Sequence, residues 1–178
     1  MDAAERGDLG RVLVLTSPDE IAEAWWRYVV RCHVARERGE TEPDWDSDPD
    51  AWASELWTEG VIQRDEEIFR ALLRAFADRA PSEAVLDYLG AGPIEDFVTD
   101  DEARIRWVEE EAKRSRNFRL ALANVWIEPL GPDTFLRIQD AAGADLVWHV
   151  NFGPRPLPDG SFIDPVLGRS MSSRPAVG

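Results

Sequence analysis

The chain has 178 residues, 44% hydrophobic and 31% charged, which is enough to bury a core as one domain without disulfides or a structural metal. Its formal charge of −15 disfavours direct nucleic-acid binding, because like charges repel and few cations are at hand to release counterions. No apolar run approaches the roughly 20 residues of a membrane span, the opening MDAAERGDLGR lacks the apolar centre of a signal peptide, and the single cysteine, Cys32, rules out an internal disulfide; a cytoplasmic chain away from membranes is expected.

In chain order, Val12 to Leu15 has the makings of a short strand. Ser17, Pro18 and Glu20 then announce a helix by a capping box with Pro in the first turn. Ile21, Trp25, Tyr28, Val29 and Cys32 recur at helical spacing, and Trp26 and Val30 widen the stripe, so this helix is expected to pack on two sides and to end near Gly39. Asp48 and Pro49 cap a second helix carrying Trp52, Leu56 and Trp57. From Asp65 to Arg79, Ile68, Phe69, Leu72, Leu73 and Phe76 make the clearest amphipathic helix. Shorter helices follow around Val85 to Leu89, Ile94 to Val98, Ile105 to Val108 and Phe118 to Val125, and their short connections favour antiparallel packing.

After Trp126, the branched and aromatic residues of Phe135 to Gln139 and Leu146 to Phe152 predict a β-hairpin around Gly143. The fold class is therefore mainly α with an α+β element: an antiparallel helical bundle or helix-hairpin stack with a small C-terminal β-hairpin. One helical domain is expected over 1–152, followed by a Pro/Gly/Ser-rich, partly mobile tail over 153–178.

The most distinctive segment is Leu89, Gly90, Ala91, Gly92, Pro93, Ile94, Glu95, Asp96. Together with Trp52 upstream, and Phe118, Arg119, Val125 and Trp126 downstream, it resembles an uncharacterised bacterial domain family marked by an LGAGPxED-like turn, over roughly residues 48–126. The resemblance implies a helical fold and brings no activity with it. Taken by itself, the turn is explained by capping: Gly90 as a left-handed helix end and Pro93 in the first turn of the next helix, with Glu95 and Asp96 where a helix N-terminus favours negative charge.

The electrostatic landmark is the stretch from Glu40 to Glu67, where eleven carboxylates are opposed only by Arg64. Asp44, Asp46, Asp48, Asp50 and Glu55 match the first, third, fifth, seventh and twelfth places of a calcium loop, but Pro49 stands where that loop needs a Gly, and a solvated loop with a helix cap is the better expectation. His33 and His149 lack the Cys or His cluster of a zinc site, so no metal and no cofactor are expected. The helical tryptophans fit a core, whereas Trp45, among acids in a loop, suits a partner anchor.

Two classes of function follow. The first is an acidic protein-interaction domain that binds a basic protein, by analogy with immunity proteins and antitoxins, with Asp44, Trp45, Asp46, Asp48, Asp50, Glu95 and Asp96 as the contact residues. The second is an enzyme acting on an unidentified small substrate, with Glu95 and Asp96 as acid and base and Arg104 or Arg106 positioning an anion. No nucleophile, metal cage or cofactor motif accompanies those carboxylates, so no catalytic residue is assigned and the interaction domain ranks first.

Overall fold

The computed structural model describes residues 16–58, 65–125 and 132–143, together with the backbone of three short strands within 155–171. The fold is mainly helical. By its internal contacts the chain divides into two compact units, Met1–Leu89 and Gly90–Gly178.

In the first unit, helix α1 (Pro18–Arg38) starts at Ser17, whose hydroxyl accepts from the Glu20 backbone while the Glu20 carboxylate accepts from the Ser17 backbone, and it stops at Gly39 with φ +65°. Both ends are where the sequence placed them. Its buried residues, Ile21, Trp25, Trp26, Tyr28, Val29 and Cys32 among them, cover a broad sector, because α1 packs against both α2 (Trp52–Thr58) and α3 (Glu66–Asp78). Helix α3 is capped by Asp65, whose carboxylate accepts from the backbones of Glu67 and Ile68, and buries Phe69, Leu72, Leu73 and Phe76.

The contact of α1 with α3 is aromatic. Trp25 lies 4.6 Å from the Phe76 ring, and the indole N–H of Trp26 donates to the Phe76 carbonyl at 2.8 Å, so burial of that large ring leaves no orphaned donor. Trp57 meets Phe69 edge-on at 4.7 Å and ties α2 to the same face. A 3₁₀ turn at Glu83–Val85 leads into the short α4 (Leu86–Leu89), which closes the unit with Val85, Leu86 and Leu89 buried.

The second unit opens with a π-helical turn at Gly90–Ile94, followed by α5 (Glu95–Phe97), α6 (Glu102–Arg114), α7 (Arg116–Leu122) and α8 (Pro132–Ala142). Asp101 and Ser115 cap α6 and α7 through their side chains. Phe97, Trp107 and Phe118 form an edge-to-face chain with centroids 5.0 and 5.7 Å apart, and Ile105, Val108, Leu122, Phe135 and Ile138 complete a buried core. Arg137 on α8 bonds Glu109 in bidentate fashion and also Glu102, clamping α8 to α6.

Helix α8 corrects the hairpin expectation. Phe135 to Gln139, read as a strand from its apolar content, is helical, and Phe135, Ile138 and Ala142 are buried at helical spacing. Pro132 and Asp133 in the first turn and Gly143 at φ +65° after the last supply the start and stop. The proposed second strand, Leu146 to Phe152, and the Val12 to Leu15 segment lie outside the described residues. Three strands, β1 (Arg155–Pro156), β2 (Phe162–Asp164) and β3 (Arg169–Met171), instead form a small antiparallel sheet in the order β1-β2-β3, with Ile163 opposite both Arg155 and Ser170. Among the described residues, no helix is long and apolar enough to cross a membrane.

Candidate functional site: the acidic loop and the Gly90 turn

The loop between α1 and α2 is built onto α1 by charge. Arg27 and Arg31 stand one turn apart on the helix. Arg27 bonds Asp50 through Nε and Nη2, the shorter contact being 2.7 Å. Arg31 grips Asp48 through Nε at 2.9 Å and Nη2 at 2.5 Å, and reaches Asp50 at 2.9 Å. The Asp50 backbone N–H closes the arrangement onto Asp48 Oδ1. The side chains of Asp48 and Asp50 are only 6% and 11% exposed, so these charges are largely withdrawn from solvent and depend on their arginines. Burial alone would push the Asp48 carboxyl up, but the hydrogen bonds from Arg31 and from the Asp50 backbone hold it below its ordinary value. The Arg27 hydrogen bond does the same for Asp50 against the opposing effect of burial.

Trp45 takes part in the same anchorage. Its ring packs edge-on to Tyr28 at 5.4 Å, its indole N–H donates to Glu55 at 3.2 Å, and it covers a small cluster of Tyr28, Cys32 and Ala51. It is half-buried and does structural work in the loop. Burial raises the Tyr28 phenol, and burial likewise raises the Cys32 thiol against a hydrogen bond from Tyr28, so both stay protonated in this pocket. His33 meets the Tyr88 ring edge-on at 6.0 Å, and Arg36 lies over that ring while also pairing with Glu42.

The carboxylates of the acidic landmark thus take different roles. Glu42, Asp48, Asp50 and Glu66 pair with arginines, Glu55 accepts from an indole and Asp65 caps α3, whereas Glu40, Asp44 and Asp46 remain on the exposed side of the loop. Asp44 accepts from the Ser47 hydroxyl and caps the turn at its tip. The calcium-loop positions do not converge: Asp48 and Asp50 face guanidinium groups, and Glu55 faces Trp45. Among the described residues, no group of three or more metal-ligating side chains comes together.

The Gly90 turn is built by shape. A Cβ on Gly90 would stand 2.1 Å from the carbonyl oxygen of Ala121 at the end of α7, so glycine is demanded by that close approach. Gly90 does not have the positive φ that a left-handed cap requires; among the described residues only Gly39 and Gly143 do. The expected left-handed cap is corrected accordingly: the chain stays helical through Gly90 and widens into a π turn with a kink at Ala91, and Pro93 and Ile94 are buried in it. Pro93 lacks an N–H, which suits a stretch where the ordinary ladder is already interrupted.

Glu95 and Asp96 follow on α5, Glu95 half-buried and Asp96 exposed, and each has interaction partners. The two arginines considered beside them have structural contacts: Arg104 donates to the Phe97 carbonyl and lies over the Phe97 ring, and Arg106 pairs with Glu102 at 2.7 Å. Sequence reasoning overlooked Arg27 and Arg31. Their one-turn spacing beside an apolar stripe was the available sign that α1 carries a paired guanidinium site.

Neither a curated protein nor a solved structure matches this chain. A family model does match, over residues 40–145, which takes in both the acidic loop and the Gly90 turn and agrees with the resemblance to an uncharacterised family over 48–126. That match covers more than half of the sequence, so the chain belongs to the Family of unknown function (DUF6869).

Proposed function

We propose that this protein is an interaction domain whose preorganised acidic loop binds a basic protein partner. The observation that carries this reading is the division of labour among the loop carboxylates. Asp48 and Asp50, together with Trp45, fix the loop to α1, while Glu40, Asp44 and Asp46 stay exposed on it. A surface held rigid before binding loses little conformational entropy on association. Exposed carboxylates on that surface speed encounter with a cationic partner and help to choose it. In this reading Asp44 and Asp46 touch the partner, Trp45, Asp48 and Asp50 position them, and Glu95 and Asp96 contribute a separate, secondary contact.

The test compares wild type with a Glu40→Gln, Asp44→Asn, Asp46→Asn variant as bait for proteins of the native host. A basic protein is expected to be retained by the wild type, released as salt rises, and lost with the variant while the variant's circular dichroism and unfolding midpoint are unchanged. A partner retained equally by both proteins, or one indifferent to salt, contradicts the acidic loop as the contact.

A further inference from the structure

A second feature of the first unit stands apart from the exposed acids. Glu23, Trp26, Arg27, Val30 and Arg31 fall at i, i+3, i+4, i+7 and i+8 along α1 and so share one side of it. With Arg79 and Pro81, just beyond α3, they line an open groove of about 540 Å³. That volume lies within the range of about 300–1,000 Å³ usual for small-molecule sites. The apolar lining is Trp26, whose indole N–H is already satisfied by Phe76, half-buried Val30 and Pro81.

The polar lining is mostly guanidinium, in a chain rich in carboxylates. Arg27 and Arg31 use Nε and Nη2 on Asp48 and Asp50, and Arg79 uses Nη1 and Nη2 on Glu23 and Asp19. Each group is therefore fixed by part of its fork. Nη1 of Arg27 and of Arg31, and Nε of Arg79, have no hydrogen-bond partner among the described residues. An arginine already held by one carboxylate loses little further freedom when it meets a second anion, and its planar fork suits carboxylate geometry.

We propose that this groove binds a small amphipathic carboxylate, with its apolar body over Trp26, Val30 and Pro81 and its head group against Arg27, Arg31 and Arg79. The carboxylates already paired with these arginines oppose a second anion to different degrees. Asp48 and Asp50 are largely buried and matched by two arginines, whereas Glu23 lines the groove itself and competes directly for Arg79. Glu23 is thus the residue whose neutralisation should strengthen binding, an effect opposite in sign to the usual loss on substitution.

The test titrates the full chain with octanoate, octyltrimethylammonium and octanol, probes that share one apolar body and differ in head group, and follows the Trp26 indole and Val30 amide resonances. Octanoate is expected to move both and to bind at least about threefold more tightly than the other two, the scale of one partly exposed charge pair. Glu23→Gln is expected to tighten octanoate binding by about the same factor, and Val30→Glu, which fills the groove with a like charge, to abolish it. Equal affinity for the three probes, preference for the ammonium, shifts confined to other residues, or a Glu23→Gln protein with unchanged affinity would each overturn the proposal. Because Glu23 is exposed and its substitution leaves the Asp48 and Asp50 pairs intact, that variant decides the matter even if Val30→Glu fails to fold.

Discussion

In the loop around Asp48 order comes from charge, and in the turn around Gly90 it comes from shape. The loop holds its course because two nearly buried carboxylates are gripped by Arg27 and Arg31 and a tryptophan rests on Tyr28. The turn holds its course because a backbone carbonyl occupies the space a side chain would need. Charge pairing of this kind weakens gradually as pH or partner chemistry changes, whereas a steric fit fails at the first added carbon. The family match, over residues 40–145, takes in the loop carboxylates and the whole Gly90 turn, whereas Arg27, Tyr28 and Arg31, which hold the loop, stand before it.

The largest effect is expected from Gly90→Ala. The new Cβ would meet the Ala121 carbonyl at 2.1 Å, and backbone must shift to admit it, so the second unit should lose about 3 kcal/mol, the upper end of overpacking costs, in urea unfolding. An unchanged midpoint would show that the turn has slack. Next in size, Arg31→Met leaves Asp48 almost buried without its main partner. Arg31 is itself partly exposed, which reduces the loss below that of a fully buried pair, to about 2 kcal/mol. Combining Arg31→Met with Asp48→Asn should recover part of that loss in a double-mutant cycle; strict additivity would deny the pairing.

The pH dependence separates the two regions as well. Asp48 and Asp50 have folded-state values held below the ordinary one, so the unfolded chain binds protons first as pH falls. Their contribution is complete above about pH 4, near the unfolded value, and is lost as pH drops from there through the lowered folded values. An Arg27→Met, Arg31→Met protein should therefore show a shallower decline of stability below about pH 4 than wild type, whereas Gly90→Ala should lower the curve without changing its slope. The smallest expected effect is Asp46→Asn, an exposed loop substitution that should stay within about 0.5 kcal/mol of wild type while weakening the partner.

Much of the helical plan was legible because its signals are local. Ser17, Pro18 and Glu20 begin α1, Gly39 ends it, and the apolar spacing of Phe69, Leu72, Leu73 and Phe76 defines the buried face of α3. What stayed hidden depends on distance along the chain. Arg27 meets Asp50 across 23 residues, and Gly90 meets Ala121 through tertiary packing, and neither contact leaves a periodic trace. Helix α8 was misread for a different reason. A window of five residues from Phe135 cannot distinguish a strand from a turn and a half of helix, and the third buried position, Ala142, falls outside it. The candidate loop was visible as charge, but which of its carboxylates are structural was not, because that depends on the arginines of α1.

Hydrogen exchange at the backbone amides of Asp48, Asp50 and Ala51 tests most directly the claim that ion pairing holds this loop in one conformation. These amides donate to the Asp44 carbonyl, the Asp48 carboxylate and the Asp48 carbonyl. At neutral pH all three amides are expected to be protected in wild type and to lose that protection in Arg27→Met, Arg31→Met, while the amides of Leu72 and Phe76 in α3 keep theirs. Free exchange in the wild-type loop, or equal protection in both proteins, would contradict it.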